Sequence, residues 1–354
     1  MNSNGTINID KGWLKNIKYV VSGSYYDKYS FLTQLYTSAT APYSMTDVDG
    51  AIIANQPGRV LYDVSGKPLT KYDGVDPTHY AHYLPSNYKG RYDLYGRELS
   101  FFSSATATFF GKLGATNHRI LLGFNYSVDG NIGRGKEFSP EFPPFRNIAA
   151  HNATFRPRPY REIPFVHELG LFAEENFSWK IADRHLVNWQ AGLRWDQISL
   201  VGGKLSPRTN LSIEVVPNWL YIRGAYGVTA KMPTLLYLYP ERAYFEYINI
   251  NEMASDLEDK AFMTTTRVFD TQNKSLEIAT NRKAEVGIDL KTPIGKLMVT
   301  AYDERMDNGY TLTPKHQPVI YNEYKRVAGA DGPRFELSAS NPVLATYYSP
   351  SNHL

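Results

Sequence analysis

Apolar and polar residues alternate one by one along many segments of this chain, and this pattern constrains the fold most. Between His185 and Asp196, one set of alternate positions is apolar or aromatic: Val187, Trp189, Ala191, Leu193 and Trp195. The positions between them hold Asn188, Gln190, Gly192, Arg194 and Asp196. Successive side chains of a strand point to opposite faces of a sheet, whereas a helix repeats about every 3.6 residues. The segment therefore predicts a strand with one apolar and one polar face.

The same alternation recurs along the chain and predicts about ten strands in an all-β, antiparallel fold. Besides His185–Asp196 and a weak first strand at Thr6–Lys11, the predicted strands are Ile17–Phe31, Leu99–Leu113, Arg119–Ser127, a strand that begins at Leu169, Thr209–Val215, Leu220–Val228, Ala284–Leu290 and Leu297–Ala301.

The connections between these strands are alternately short and mostly long. The short ones are Gly12–Asn16, Gly114–Asn117, Lys180–Arg184, Val216–Asn218 and Lys291–Gly295. The others are Leu32–Asp93, Gly130–Pro164, Ala230–Asn281 and a shorter one at Gln197–Arg208. Outer-membrane barrels combine short periplasmic turns with long extracellular loops, whereas long loops are uncommon in compact soluble domains. The rhythm predicts a transmembrane β-barrel segment.

Composition agrees with this interpretation and excludes several other classes. Tyr, Phe and Trp make up 14% of the 354 residues, and there is no Cys, which excludes disulfides, thiolate metal sites and Cys nucleophiles. Lys and Arg are interspersed with Asp and Glu at a net charge of +3, so no basic footprint predicts a nucleic-acid partner. No apolar run reaches the roughly 18 residues of a membrane helix. Met1–Lys11 lacks the features of a signal peptide.

Alternation also assigns candidate residues to each side of the predicted barrel. The polar positions that we expect to face the lumen are Asn188, Gln190, Arg194, Asp196, Glu214, Arg223, Glu285 and Asp289. Trp13, Trp179 and Trp219 lie in or beside short turns, so we expect them to form an aromatic girdle at one membrane interface. No metal, cofactor or catalytic residue is predicted.

Three local motifs partly match known binding sites, but each is explained more simply as part of an ordinary surface loop or turn. Gly130, Gly135 and Lys136 have phosphate-loop spacing, but Glu137 stands where Ser or Thr would bind magnesium. The loop residues His79 and His82, near Asp73 and Asp76, are a weak candidate for a metal site, and solvated loop polarity explains them more simply. Asp47, Asp49 and Gly50 lack the later ligands of a calcium loop.

Residues Leu169–Pro240 resemble the barrel of TonB-dependent receptors. The resemblance is carried by Leu169–Glu175, Ala191–Asp196, Leu205–Arg208 and Ile222–Gly227, followed by Lys231–Thr234 and Tyr237–Pro240. Asn281–Leu290 is similar to a family strand with an inward glutamate, here Glu285.

The resemblance implies a barrel of about 22 strands around an N-terminal plug. It implies as partners an inner-membrane TonB energy-transducing complex, acting through the N-terminal part, a transported ligand and outer-membrane lipid. It leaves a surface lipoprotein open as a further partner. The sequence shows no candidate plug, energy-coupling box or signal peptide, and Ser351–Leu354 looks like a loop, without an aromatic-ended final strand. We therefore expect residues 1–354 to be a partial barrel domain, with its plug and C-terminal strands missing.

The expected function is import of a large or scarce nutrient across the bacterial outer membrane: a glycan fragment, peptide, siderophore or cobalamin. Two alternatives stay open at this point. One is a complete ten-stranded outer-membrane barrel, such as an outer-membrane protease with its site at the loop tips. The other is a secreted β-rich binding protein that grips sugars with Tyr-rich loops. No enzyme activity is expected if the chain is part of a TonB-dependent receptor.

Overall fold

The computed structural model describes residues 1–37, 42–144, 154–181, 185–328 and 332–352. These residues form eighteen strands, one α-helix of four residues (α1, Leu235–Leu238) and a 3-10 turn at Tyr160–Glu162. The strands are β1 (Asn2–Lys11), β2 (Leu14–Thr37), β3 (Pro42–Tyr43), β4 (Ile52–Ala54), β5 (His82–Tyr83), β6 (Asn87–Leu113), β7 (Thr116–Asn131), β8 (Gly135–Glu137), β9 (Val166–Ile181), β10 (His185–Ile198), β11 (Gly202–Val216), β12 (Leu220–Lys231), β13 (Ala243–Glu252), β14 (Ala261–Phe269), β15 (Ala279–Thr292), β16 (Gly295–Asp307), β17 (Thr311–Val327) and β18 (Arg334–Ser351).

Ten of these strands form one antiparallel sheet in the order β1-β2-β6-β7-β9-β10-β11-β12-β15-β16, with β8 added beside β6. This confirms the prediction of an antiparallel barrel wall of about ten strands. Within the described residues, β1 and β16 do not pair with each other, so the sheet is open. An open sheet lacks the closed ring of hydrogen bonds that a complete ten-stranded barrel in lipid would need.

One end of the sheet carries tight turns. The turn between β1 and β2 comprises Gly12 and Trp13 only, and Gly114 opens the equivalent turn between β6 and β7. Both glycines have a φ of +59°, a left-handed conformation that costs glycine little. The turns are shorter than the sequence predicts because the strands continue to the last residue that can pair. Residues 182–184 of the predicted turn Lys180–Arg184 lie outside the described residues.

At the other end, the structure differs from the sequence interpretation in the lengths of the strands. The long hairpin of β2 and β6 pairs without interruption from Asn16 to Thr37, well into the predicted loop Leu32–Asp93. The predicted connection Gln197–Arg208 is mostly strand as well, and only Ser199–Val201 form a turn. Polar and aromatic residues continue these strands beyond the apolar zone because backbone pairing does not require an apolar face.

The long connections at this end and the segment after β16 pack together into what we call the loop body: residues 42–86, 154–164, 232–278, 311–328 and 332–351. Strands β13, β14 and β4 form a three-stranded sheet, and β3 pairs with β5. The hairpin β17–β18 was not predicted, since the predicted strands end at Ala301. It covers this sheet: Val319 and Ala345 pack on Phe245 and Tyr247.

A second contact between the hairpin and the loops comes from Phe335, which is fully buried with Ala54, Leu61 and Ile250. Tyr247 stacks on Tyr321 at 5.0 Å between ring centroids, and burial raises the pKa of Tyr247 to about 12. The loops are therefore a packed structure with an apolar core of their own.

A buried ion pair joins three of the long connections. Arg156 and Glu246 form a salt bridge in which their side chains are 5% and 0% exposed. The same guanidinium donates to the carbonyl oxygen of Thr46 at 3.0 Å through both Nε and Nη2. Glu246 also accepts hydrogen bonds from the amide of Ser44 and the hydroxyl of Thr266, both at 3.1 Å. Removing either charge would leave the other buried and unpaired.

Candidate functional site

The ten-stranded sheet has one exposed apolar face. On β10, Trp189 and Leu193 remain 42% and 48% exposed, and their neighbours on other strands include Leu122, Leu171, Ile222 and Val286. The register keeps them on one side: Leu193 lies opposite Ala173, which lies opposite Leu122. An exposed apolar surface that continues across several neighbouring strands would be unusual on a soluble monomer, whereas a barrel wall presents such a surface to lipid.

The opposite face carries polar side chains that bond across the strands. Arg194 donates to Asp196 at 2.9 Å and to Asn125, two strands away, at 2.8 Å. This arrangement depends on Gly170, because a Cβ there would lie 2.3 Å from the nearer Nη of Arg194 and 2.5 Å from the side-chain oxygen of Asn125. Such a contact is far below van der Waals distance. Glycine therefore makes room for the ion pair.

A second group on this face is centred on Glu174, whose side chain is 8% exposed. It accepts hydrogen bonds from Asn176 at 2.9 Å and Gln190 at 2.7 Å, and it forms a salt bridge with Arg208. Of these four residues only Gln190 is among the predicted lumen residues. Glu174 and Arg208 could have been found, since both lie in the motifs that carry the family resemblance.

A third group connects β12, β15 and β16. Arg223 donates to Asp289 at 3.1 Å and hydrogen-bonds Thr300, and Glu285 lies 4.0 Å from its guanidinium. Gly287 lies beneath this guanidinium, where a Cβ would come within 2.8 Å of it. Three predicted residues are thus brought together, and the site again needs a glycine that sequence reasoning did not single out.

The two remaining predicted polar residues lie nearer the tight turns. Glu214 accepts hydrogen bonds from the Tyr221 hydroxyl at 2.6 Å and from the amides of Asn218 and Leu186 at 2.7 and 3.2 Å. It therefore fastens the turn between β11 and β12 rather than presenting a free carboxylate. Asn188 lines a cavity of about 300 Å³ together with other amide side chains, among them Asn117, Asn176, Gln190 and Asn210.

The three predicted girdle tryptophans lie at the end of the sheet that carries the tight turns. Trp13 is 42%, Trp179 40% and Trp219 50% exposed. Trp13 covers Gly111, where a Cβ would lie 2.3 Å from the indole, and its ring centroid is 6.0 Å from that of His118. Their common position agrees with a girdle, which stays a prediction.

The weaker motifs resolve as ordinary loop structure. Asp76 accepts hydrogen bonds from the amide and hydroxyl of Thr78, both in its own turn, and His82 stacks on Tyr80 at 4.2 Å. Lys136 forms a salt bridge with Glu241 rather than lying in a loop that precedes a helix. In the described part of the chain, no three His, Asp or Glu side chains are grouped so that they could hold a metal ion. No described helix is both long and apolar enough to cross a membrane.

An antiparallel sheet with an apolar exterior, a cross-linked polar interior and tight turns at one end defines the wall of an outer-membrane-type β-barrel. The family described as "TonB dependent receptor-like, beta-barrel" matches residues 2–344, and the chain belongs to this family. Members of the family are transporters rather than enzymes.

Solved structures similar to this chain include siderophore and hemophore receptors. The siderophore receptor PirA from Acinetobacter baumannii is 13% identical, with a TM-score of 0.47 over 99% of this chain and 39% of that one. PirA from Pseudomonas aeruginosa is 12% identical, with a TM-score of 0.40 over 99% and 50% of the two chains. The Serratia marcescens hemophore receptor HasR is 12% identical, with a TM-score of 0.37 over 98% and 50%.

The chain thus spans between about two fifths and one half of the length of these receptors. A search of curated proteins gave no match.

Proposed function

We propose that this chain is the wall of a TonB-dependent receptor that imports a large or scarce nutrient across the bacterial outer membrane. The observation that carries the proposal is the two-faced sheet, with exposed apolar residues outside and hydrogen-bonded ion pairs inside, in a chain that matches the family barrel over residues 2–344. On this proposal residues 1–354 are one partial barrel domain. Its open edges at β1 and β16 pair with further barrel strands.

On this proposal the polar face of the sheet lines the lumen of the barrel, where the plug of the receptor would move past it. Its charges are largely compensated by neighbours on the wall itself, as with Arg194 and Asp196 or Arg223 and Asp289. A wall whose ion pairs are satisfied by one another presents few unpaired charges that could hold a plug in place. We propose that it lines a passage whose selectivity is set elsewhere, in the loops and in the plug.

The partners on this proposal are the TonB energy-transducing complex, a transported ligand and outer-membrane lipid. Trp13, Trp179 and Trp219 would contact lipid headgroups at the periplasmic interface. A surface lipoprotein above the loop body remains a hypothesis without a structural observation of its own. The nutrient is a siderophore complex, cobalamin, a peptide or a glycan fragment.

The test is deletion of the gene that encodes this chain, followed by growth with each of the four nutrient classes limiting in turn. We expect growth to fail for one class and to be restored by the intact gene. Removal of TonB should produce the same defect, because the energy source is shared. Unchanged growth on all four classes, or uptake that does not depend on TonB, would overturn the proposal.

A further inference from the structure

The loop body contains a cavity of about 720 Å³ bounded by three of the long connections. One wall is formed by Met45, Asp47 and His79, a second by residues 156–159 and 162–164, and a third by residues 239–242, 244, 270 and 272. The volume is within the range of small-molecule sites, about 300 to 1,000 Å³. The Arg156–Glu246 ion pair holds these segments together, so the cavity exists without a ligand.

The cationic groups of this cavity are mostly engaged within the protein. Arg156 directs all five of its N–H groups to acceptors on the chain: the carbonyl oxygens of Thr46 and Phe155, the hydroxyl of Thr154, and Glu246. Arg158 donates to the carbonyl oxygen of Tyr239 at 2.7 Å. Arg156 therefore supports the walls with no N–H group left for a ligand, whereas Arg158 keeps N–H groups that can donate to ligand oxygens.

Several acceptors, in contrast, are not engaged. Asp47 and Glu162 line the cavity, and their side chains make no hydrogen bond or ion pair with the described residues. The Nδ1 atom of His79 is buried and has no hydrogen-bond partner in the described part of the chain. A buried polar atom without a partner is costly, but this atom is out of reach of a ligand in the cavity, so the acceptors that a ligand meets are the carboxylates of Asp47 and Glu162.

Two tyrosines provide the apolar surface. Tyr239 and Tyr244 line the cavity, and Arg156 lies over the ring of Tyr244, 4.7 Å from its centroid. Burial raises the pKa of both hydroxyls, so they stay protonated at neutral pH and can donate as well as accept. Aromatic rings beside carboxylate acceptors can pack against C–H groups and bind O–H groups of the same molecule.

We propose that this cavity binds a neutral, hydroxyl-rich ligand, that is, a sugar unit of a glycan. Hydroxyl groups supply the donors that the carboxylates of Asp47 and Glu162 lack. The lining holds four carboxylates, those of Asp47, Glu162, Glu241 and Asp270, and three guanidinium groups; Glu241 is paired with Lys136, and Arg156 is paired with Glu246. The lining therefore offers a polyanionic chelate no excess of positive charge. This proposal rests on the import function above and names its substrate class.

The test is ligand binding by the whole receptor that contains this chain, purified in detergent after it has been shown to reside in the outer membrane. The probes are neutral glucan, mannan, galactan and xylan hexasaccharides, an anionic oligogalacturonide and ferric enterobactin. The variants are Asp47→Asn and Glu162→Gln. The matched control is Asp73→Asn, an exposed carboxylate of the same connection as Asp47 that does not line the cavity.

We expect at least one neutral hexasaccharide to bind, and each cavity variant to weaken it about tenfold, or 1.4 kcal/mol, while the control changes it less than twofold. Preference for either anionic probe, absence of binding by all neutral probes, or equal effects of Asp47→Asn and Asp73→Asn would overturn the assignment of the cavity. Those results would leave the barrel assignment intact. Absence of the whole receptor from the outer membrane would instead refute both proposals.

Discussion

The buried pair Arg156–Glu246 gives the sharpest prediction about the loop body. Replacing Glu246 with Ala leaves a guanidinium that is only 5% exposed without its counter-charge, and leaves the Ser44 amide and the Thr266 hydroxyl without an acceptor. Breaking such a pair from one side costs about 3 to 5 kcal/mol. Because the pair joins three connections, we expect this cost to appear as local opening of the loop body rather than as loss of the barrel sheet.

The assay is hydrogen–deuterium exchange of the folded chain in detergent, followed at the amides of β13 and β14. A loss of about 3 kcal/mol in local opening free energy corresponds to exchange more than about 100-fold faster. Amides of β10 and β11, in the centre of the large sheet, should keep their wild-type rates. Replacing both partners with apolar residues, as in Arg156→Met with Glu246→Leu, should recover much of the protection, since no charge is then left unpaired.

The control for this experiment is the exposed pair Lys325–Glu336, whose side chains are 63% and 41% exposed. Glu336→Ala should cost at most about 1 kcal/mol, because water screens the charges and replaces the lost contact. If Glu246→Ala and Glu336→Ala change the exchange of β13 equally, the reasoning about burial is wrong. The same conclusion follows if Glu246→Ala opens the barrel sheet as readily as the loops.

Three further predictions concern the sheet and the acid sensitivity of the loops. Leu193→Lys places a charge on the lipid face and should cost about 2 to 4 kcal/mol near the membrane midplane, seen as loss of the folded band on unheated gels. Gly170→Ala should destabilise the fold by about 1 kcal/mol in denaturant unfolding, because the guanidinium of Arg194 must move away from the new Cβ and lose its hydrogen bond to Asn125. The pKa of Asp49 is lowered below 3.8 in the folded protein. The stability that its carboxylate contributes is therefore present above pH 3.8 and is lost as the pH falls through the folded-state pKa. Hydrogen exchange of the Val268 amide, which donates to this carboxylate, should then accelerate.

Each of these predictions has its own control. The control for Leu193→Lys is Asn188→Lys, on the polar face, which should leave assembly of the barrel intact. An equal loss of the folded band in both variants would refute the assignment of the two faces. For Gly170 it is Gly224→Ala, where the nearest atom to the new Cβ is 3.8 Å away, so a similar cost there would contradict the steric argument. For Asp49, desolvation opposes the shift, but the amide of Val268 and the guanidinium of Arg267 outweigh it. Asp49→Asn should therefore abolish the acid effect.

On the polar face of the sheet, the sequence predicted which residues share the face but not how they pair. Alternation placed Arg194, Asp196, Arg223 and Asp289 on one face, and the structure brings them together in pairs on that face. It did not indicate which charges would find partners, because the partners lie on other strands and depend on register. Nor did it predict that Glu214 would be committed to backbone amides of the nearby turn. Register is a property of the paired sheet rather than of one segment.

The loops show where sequence reasoning ended. The predicted long connection Ala230–Asn281 does join two wall strands, but β13 and β14 within it were not predicted. Their alternation is broken by buried Thr and Glu residues such as Thr264, Thr266 and Glu246. These polar residues are buried because partners from distant connections satisfy them. The hairpin β17–β18 was missed for a similar reason, since Pro314, Pro318 and Pro342 argue against a strand. A two-stranded hairpin tolerates them, because each strand has a full partner strand on one side only.

The sequence by itself thus determined the all-β class, the number of wall strands and the two faces of the wall, because a period of two residues is encoded locally. Only the tertiary structure decided which charges are paired, that the loops pack into a body with its own core, and that this body holds a cavity with unengaged acceptors. Those features join residues as far apart as Thr46, Arg156 and Glu246. Their energies depend on burial and on partners that no local pattern specifies.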